Sequence, residues 1–299
     1  MTEEVSAPTT IPFFHLDDCH ARLVIQALRH ILAREVAEES FGMLIDGRLT
    51  MEALEECRRI RLGEDHDEIA KYTGPSQDAI STFHSLREQL DLSQSAERFQ
   101  RSAVQPSSEE FQRGLLDLVV SMVHDLAVRI FEELHQSKYQ NTPHIGSGRV
   151  LVPDFRHPKY NRFYLYPHGP MELVGYWMEK RLFGGVVVFE HGNPPGEPGA
   201  PWIHFPYEGI MQMSDKQLDA FTQLAFTTSP MFDVAVSDIL PFKAELGAKV
   251  VASFDAYELG LFRNHFEHHP PPNISRYSCT ALGRNVTYPD WLLEYLKKS

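Results

Sequence analysis

One stretch of the chain, residues 161–226, constrains the fold most, because it concentrates strand-like runs and contains a clear helix start. Apolar or aromatic runs bounded by Gly and Pro are typical of strands joined by turns. Such runs occur in or beside this stretch at residues 160–166, 183–189 and 202–205. Ser214 and Gln217 have the spacing of a capping box, which predicts a helix that continues to Phe226. We therefore expect a small antiparallel sheet followed by a helix.

The sequence before this stretch predicts helices. Capping residues precede apolar residues that recur three or four positions apart, and the resulting helices cover residues 15–39, 51–62, 77–92 and 108–136. Gly42 is the expected stop of the first helix. The fourth helix is apolar almost all round, so we expect it to be buried at the centre of the fold, between the earlier helices and the sheet.

The pattern of elements predicts an α+β fold, with an N-terminal helical part packed on a C-terminal part that contains the small antiparallel sheet. Pro and Gly residues mark a boundary at residues 141–148. We expect a disordered tail at residues 1–12, a helical domain at 13–143 and an α+β domain at 147–299, with one core shared by both parts as the alternative. Residues 171–180 fit a helix or a strand, residues 231–251 predict short strands or coil, and residues 254–266 and a segment opening at 289 predict helices.

Charge and cysteine content bound the partners and the compartment. The formal net charge is -13, which repels nucleic-acid phosphates and anionic membrane surfaces and favours basic or neutral partners. The 3 cysteines are scattered without a CxxC pair, as expected in a reducing compartment. No leader-like or membrane-length apolar run occurs in the sequence. We expect a cytoplasmic or nuclear protein that binds neither nucleic acid nor membranes.

Residues 183–192 have the sequence Phe-Gly-Gly-Val-Val-Val-Phe-Glu-His-Gly, and a His-bearing strand at His204 and the helix at 214–226 follow them. Together with Tyr-Glu-Leu-Gly-Leu-Phe-Arg at residues 257–263, these segments resemble a large family of uncharacterised fungal proteins. The likeness is confined to these segments, and nothing in residues 227–253 resembles the family. The resemblance implies a fungal intracellular protein with a central α+β unit, and it assigns no catalytic residue.

The preferred candidate site lies at one end of the predicted sheet, where loops on a rigid scaffold usually form sites. Strand alternation places His204 on the face opposite Ile203 and Phe205, and we expect that face to be open toward the loop at residues 191–199. The side chains expected to line this end, as candidate ligand-binding residues, are His168, Glu190, His191, His204 and Glu208.

A second group of candidates suggests metal chemistry. The candidate metal ligands are His204, His265, His268 and His269; His265 and His269 are four residues apart, which places two ligands on one helical face. Arg276 lies in an Asn-x-x-Arg-x-Ser pattern that resembles the 2-oxoglutarate-binding tail of non-heme iron oxygenases, in which the Arg holds a carboxylate. His15 and Asp17 have the spacing of such iron ligands, but their place before a helix favours capping.

Two functional hypotheses follow from these features. The first is a binding module for a protein or a small molecule, which requires no cofactor. The alternative is a metal-dependent enzyme of the non-heme iron type that acts on a small molecule and holds Fe or Zn. The sequence contains no GxSxG, Walker A or protein-kinase motif, and these absences disfavour serine hydrolases, P-loop enzymes and protein kinases.

Overall fold

A computed structural model describes residues 18–57, 71–88, 108–140, 152–166, 168–191, 199–206, 208–227, 239–252, 256 and 259–263. These residues form an α+β fold, as predicted, with helices in the N-terminal part and a curled antiparallel sheet in the C-terminal half. The helices are α1 (Asp18–Leu32), α2 (Glu35–Asp46), α3 (Met51–Cys57), α4 (Gln77–Glu88), α5 (Glu109–Gln140), α6 (Glu172–Phe183) and α7 (Asp215–Phe226). The strands are β1 (Val186–Glu190), β2 (Pro201–Phe205), β3 (Gly209–Gln212), β4 (Val250–Val251) and β5 (Leu261–Phe262).

The predicted helix starts are confirmed by their capping contacts. The Thr50 hydroxyl accepts from Ala53 N at 3.3 Å, and the Ser76 hydroxyl accepts from Ala79 N at 3.1 Å. At the start of α7 both halves of the capping box form: Ser214 Oγ accepts from Gln217 N at 3.1 Å, and Gln217 Oε1 accepts from Ser214 N at 3.2 Å. Local sequence therefore fixes where these helices begin.

The first predicted helix is wrong in its bounds, because the chain breaks between α1 and α2 and then continues past Gly42. Arg34 is extended there, and its guanidinium donates to the carbonyls of Leu182 and Leu240 at 3.2 and 2.6 Å. Gly42 lies inside α2, where a Cβ would come within 2.6 Å of Pro75, so this glycine serves close packing. The helix ends instead at Gly47, which has φ 65°.

Helix α5 is the core helix, as its composition predicts. It packs against α1, α2, α6 and α7, and its buried side chains include Phe111, Leu115, Val119, Val123 and Phe131. Helix α6 contacts both α5 and β1, and side chains of α5 and of the sheet belong to the same apolar cluster. Residues 171–180, which fitted two alternatives, therefore belong to a helix that is buried nearly all round.

The five strands lie in the order β4-β3-β2-β1-β5, and all neighbours are antiparallel. In the central pair, Val186 lies opposite His204 and Phe189 opposite Pro201. Alternation sends Val187, Ile203 and Phe205 into the large helical core. Val186, Val188 and Trp202 belong to a second apolar cluster.

Residues 157–166, which we call the covering segment, pack on the second face of the sheet, whereas Phe155 just before them packs in the helical core against Phe131 and Trp177. Tyr160, Leu165 and Tyr166 of this segment join the second apolar cluster. The predicted strand at 160–166 is therefore wrong: residues Phe163–Leu165 form a 3-10 turn. The aromatic side chains that suggested a strand pack instead on the sheet and on α6. The Tyr160 ring, for example, stacks on Tyr176 of α6 at 4.5 Å.

A second predicted element is also wrong where the structure describes it. The helix expected at 254–266 is replaced at residues 259–263 by a turn and β5. Gly260 has φ 71°, and a Cβ there would lie 2.7 Å from the carbonyl oxygen of His191, so the chain needs glycine to pair at this edge.

Several expectations lie outside the described residues: the tail at 1–12, the boundary at 141–148 and the helix opening at 289. Within the described ranges, the largest apolar cluster includes residues on both sides of that boundary, from Val24 in α1 to Phe242 before β4.

Candidate functional site

His204 is buried, with 7% of its surface exposed, although the sequence predicted an open face. It does point away from Ile203 and Phe205, which belong to the helical core. The covering segment occupies the space it faces: Tyr160 Oη lies 3.1 Å from His204 Nδ1, and the two rings meet edge to face at 5.4 Å. Burial, and then Lys159, lower the pKa of His204 to about 4. The ring is therefore neutral at pH 7.

His157 is the second histidine on this face. It is fully buried, and its ring centre lies 6.0 Å from that of His204 and 5.2 Å from that of Tyr160. Lys159 N donates to His157 Nδ1 at 3.2 Å, which places the ring proton on Nε2. Among the described residues, that buried Nε2 has no hydrogen-bond partner. Burial lowers the pKa of His157 well below its usual value, and His204, Lys180 and Lys159 add to the effect.

The other predicted ligand-binding residues do not converge on His204. Because Val186 pairs with His204, Glu190 and His191 lie at the far end of the strand pair. His191 is five positions along the chain from Val186, which at about 3.3 Å per residue is a separation of roughly 16 Å. The His191 ring instead stacks on Phe262 at 4.0 Å, and its Nε2 lies 3.3 Å from the Phe262 carbonyl oxygen. The register of the sheet thus divides the expected site in two.

The remaining predicted residues lie apart from the buried histidines. Glu208 is exposed at the β2–β3 turn, near the end of the strand that carries His204. His168 is exposed, and its Nδ1 is 3.8 Å from Glu132 Oε2 on α5. His265, His268, His269 and Arg276 lie outside the described residues, as do His15 and Asp17. Within the described ranges, no three or more His, Cys, Asp or Glu side chains are arranged to hold a metal ion.

A network of buried charges joins α5, α6 and the end of β5, and sequence reasoning missed it. Arg263 donates to Asp117 at 2.8 Å and to the Ser121 hydroxyl at 2.8 Å, and its Nε lies 3.5 Å from Glu179. Glu179 also accepts from Val187 N at 3.3 Å. Burial opposes the charge on Arg263, but Glu179 and Asp117 outweigh it and hold the Arg263 pKa above its ordinary value. The Arg263 guanidinium, on the residue that directly follows β5, therefore links this strand to helix α5.

His124 of α5 extends this network. Its Nδ1 lies 2.7 Å from Glu179 Oε1, and its Nε2 lies 3.3 Å from Glu172 Oε1. Burial alone lowers the pKa of His124, but the two carboxylates reverse this and raise it to about 10. In Glu172 the opposing effect of burial is likewise outweighed by His124, and the pKa is lowered. Protonated His124 is thus a buried cation between two carboxylates.

Gly175 makes this arrangement possible, because a Cβ at that position would lie 2.4 Å from the His124 ring. The sequence did contain a signal for the network: Asp117 and His124 interrupt the apolar helix α5, and Glu172 and Glu179 interrupt α6 at a spacing of two turns. Polar residues inside otherwise apolar helices indicate buried partners. Arg263 and His124 each face carboxylates from neighbouring elements, so the geometry of the network is that of a structural joint.

One edge of the sheet presents a different feature. Gln212 N donates to the Lys249 carbonyl at 2.9 Å, and Val250 is paired with Met211. Because hydrogen-bonded and non-hydrogen-bonded pairs alternate in antiparallel ladders, the Val250 N–H and C=O point away from β3. The Val250 side chain is 57% exposed and Leu246 is fully exposed. Among the described strands, β3 is the one neighbour of β4, so within the described residues β4 forms an edge of the sheet.

Comparison of the chain with protein-family models, with curated proteins and with solved structures finds no match. Among the helices described, none combines the length and the apolar character that crossing a membrane requires.

Proposed function

We propose that the protein is a binding module that takes an extended segment of a protein partner along the open edge of β4. The observation that supports this most directly is the outward-facing backbone of Val250 beside exposed apolar side chains. Strand addition needs both features, since main-chain hydrogen bonds supply affinity and alternate side chains supply specificity.

The interior of the molecule favours a surface partner over a small molecule. The covering segment fills the face of the sheet where a pocket around His204 was expected, with Tyr160 and His157 against that ring. The charged groups of the core pair with one another. These contacts therefore support a binding site on the surface of the protein.

Charge specifies the partner further. A formal net charge of -13 attracts basic segments and repels acidic ones, and it speeds the encounter at low salt. The proposed occupant is thus an extended segment with apolar side chains on one face and basic side chains on the other. The segment resemblance described above adds the proposal that this is a fungal protein of the cytoplasm or nucleus.

The test compares peptides and one backbone substitution. A peptide of about eight residues that alternates Val and Lys is titrated into the protein by calorimetry, with a Val–Glu peptide of equal length beside it. Val250→Pro removes the outward N–H without removing a ladder bond, whereas Val250→Thr keeps that N–H and a strand-forming side chain. We expect the Val–Lys peptide to bind wild type and Val250→Thr alike, and Val250→Pro at least about tenfold more weakly.

Equal binding by Val250→Pro and Val250→Thr would show that the peptide is held by charge alone and would refute strand addition. Binding of neither peptide by wild type would also refute it. Metal analysis of untagged protein separates the proposal from the metal-dependent alternative, because stoichiometric iron or zinc would favour the enzyme.

A further inference from the structure

We propose that His157 and His204 form an acid-sensitive latch that holds the covering segment against the second face of the sheet, and that protonation of the pair releases this segment. The inference is independent of strand addition at β4. It rests on the cluster that these histidines form with Tyr160.

The geometry of the latch disfavours a proton on either ring. His157 Nδ1 accepts from Lys159 N at 3.2 Å, so protonation there would set two donors against each other. The ring is fully buried, and in the part of the chain that the structure describes its Nε2 has no hydrogen-bond partner that could stabilise a cation. Protonating His204 as well would place two cations close together in a buried site, since the ring centres are separated by 6.0 Å.

The charged groups that lower the pKa of His157 have the same sign. Lys159 comes from the covering segment itself, Lys180 comes from α6, and His204 comes from β2. Tyr160 of the segment and Tyr176 of α6 add neutral phenol rings, which are stacked at 4.5 Å. Acidification therefore adds positive charge where positive charge already acts, and the segment can relieve it by leaving the sheet.

The sign of the pH dependence follows from linkage. Burial lowers the pKa of His204 to about 4 and that of His157 well below its ordinary value, so both histidines take up protons more readily when released. The closed state is fully favoured above about pH 6.5 and loses ground as the pH falls toward about 4. Each proton taken up on release raises the opening constant by up to about tenfold per pH unit, or about a hundredfold for the pair.

Release would expose an aromatic surface. The side chains now covered include Val186, Val188 and Trp202 from the sheet, and Tyr160 and Tyr166 leave with the segment. By contrast, the joint formed by His124 with Glu172 and Glu179 keeps its full stabilisation below about pH 6.5, because the carboxylates raise the pKa of His124 to about 10. The helical core therefore stays folded while the segment opens.

Hydrogen exchange read by mass spectrometry tests this proposal. Exchange of wild-type protein is measured between about pH 7.5 and about pH 4.5, and rates are corrected for intrinsic exchange. The double variant His157→Asn with His204→Asn removes both titrating groups, and an Asn oxygen can replace Nδ1 as an acceptor. His168→Asn, at an exposed histidine, is the matched control.

We expect peptides from residues 157–166 to lose protection below about pH 6.5 in wild type and in His168→Asn, while peptides from α5 stay protected. The double variant should show no such pH dependence in this segment. Protection that is constant down to about pH 4.5, or lost at the same pH in α5 and in the segment, would overturn the latch. If the double variant fails to fold, the wild-type profile alone decides between these outcomes.

Discussion

At the scale of single residues, the buried charges set the strongest constraints. Arg263 is 9% exposed and Asp117 is 3% exposed, so water screens the charge of neither side chain. Such a pair stabilises a fold little against an apolar replacement of both partners, but removing one partner strands the other in the core. The network is thus a device that fixes how β5 meets α5.

Arg263→Met should therefore lower the free energy of unfolding by about 3–5 kcal/mol, because Asp117 and Glu179 lose their cation. Arg113→Met is the matched control, since Arg113 pairs with Glu109, whose side chain is 71% exposed. It should cost less than about 1 kcal/mol. Urea unfolding of the three proteins measures both losses, and equal losses would contradict the network's role.

His124 predicts how stability depends on alkaline pH. Its pKa is raised to about 10 in the folded protein by Glu172 and Glu179, against burial. A raised folded pKa means that the stabilisation is complete below about pH 6.5 and is lost as the pH rises through about 10. The unfolding free energy of wild type should fall toward that of His124→Gln over this range, and a constant difference between the two would exclude a charged His124.

For single residues, the sequence predicted correctly which way a side chain points, but it did not predict what surrounds that side chain. Alternation correctly placed His204 opposite Ile203 and Phe205. The burial of that face could not be predicted, because it depends on Tyr160, a residue 44 positions earlier in the chain. Similarly, no local pattern pairs His124 with Glu179, since the pairing needs α5 and α6 to pack side by side.

At the scale of elements, local chemistry predicted most helix starts and both central strands. Ser76, Ser108 and Ser214 each cap the helix that follows. The break at Arg34 carries no Gly or Pro signal, and the long-range bonds from its guanidinium to Leu182 and Leu240 stabilise it. Elements that form by local bonds were thus predictable, and those that form by distant contacts were not.

Helix α5 supplies the element-scale test. Leu115 is fully buried, so Leu115→Ala should cost about 2–5 kcal/mol through lost burial and the residual cavity. Leu126 is only half-buried, so Leu126→Ala should lower the free energy of unfolding by less. Leu134→Ala is the control, because that side chain is 46% exposed, and should cost less than about half a kcal/mol. Thermal or urea unfolding ranks the three, and a different order would show that α5 is not the core.

At the scale of the whole molecule, apolar clusters lie on both faces of the sheet, and β4 forms one of its edges within the residues that the structure describes. The α+β class and the small antiparallel sheet were predictable from the alternation of apolar runs and turn residues. The candidate site was less predictable from the sequence, because the register that separates His191 from His204 is set by strand pairing and not by either strand alone. The proposed binding surface therefore lies at the edge of the sheet and not at its end.

The most direct test of this account is a nuclear magnetic resonance titration of isotope-labelled protein with the alternating Val–Lys peptide. Strand addition predicts shifts of the amide signals of Lys249, Val250 and Val251, with peptide contacts to the Val250 backbone in a β-ladder pattern. Signals from α5 and the covering segment should stay in place at neutral pH. Shifts confined to acidic helix surfaces such as that of α2, with β4 unchanged, would contradict binding at this edge.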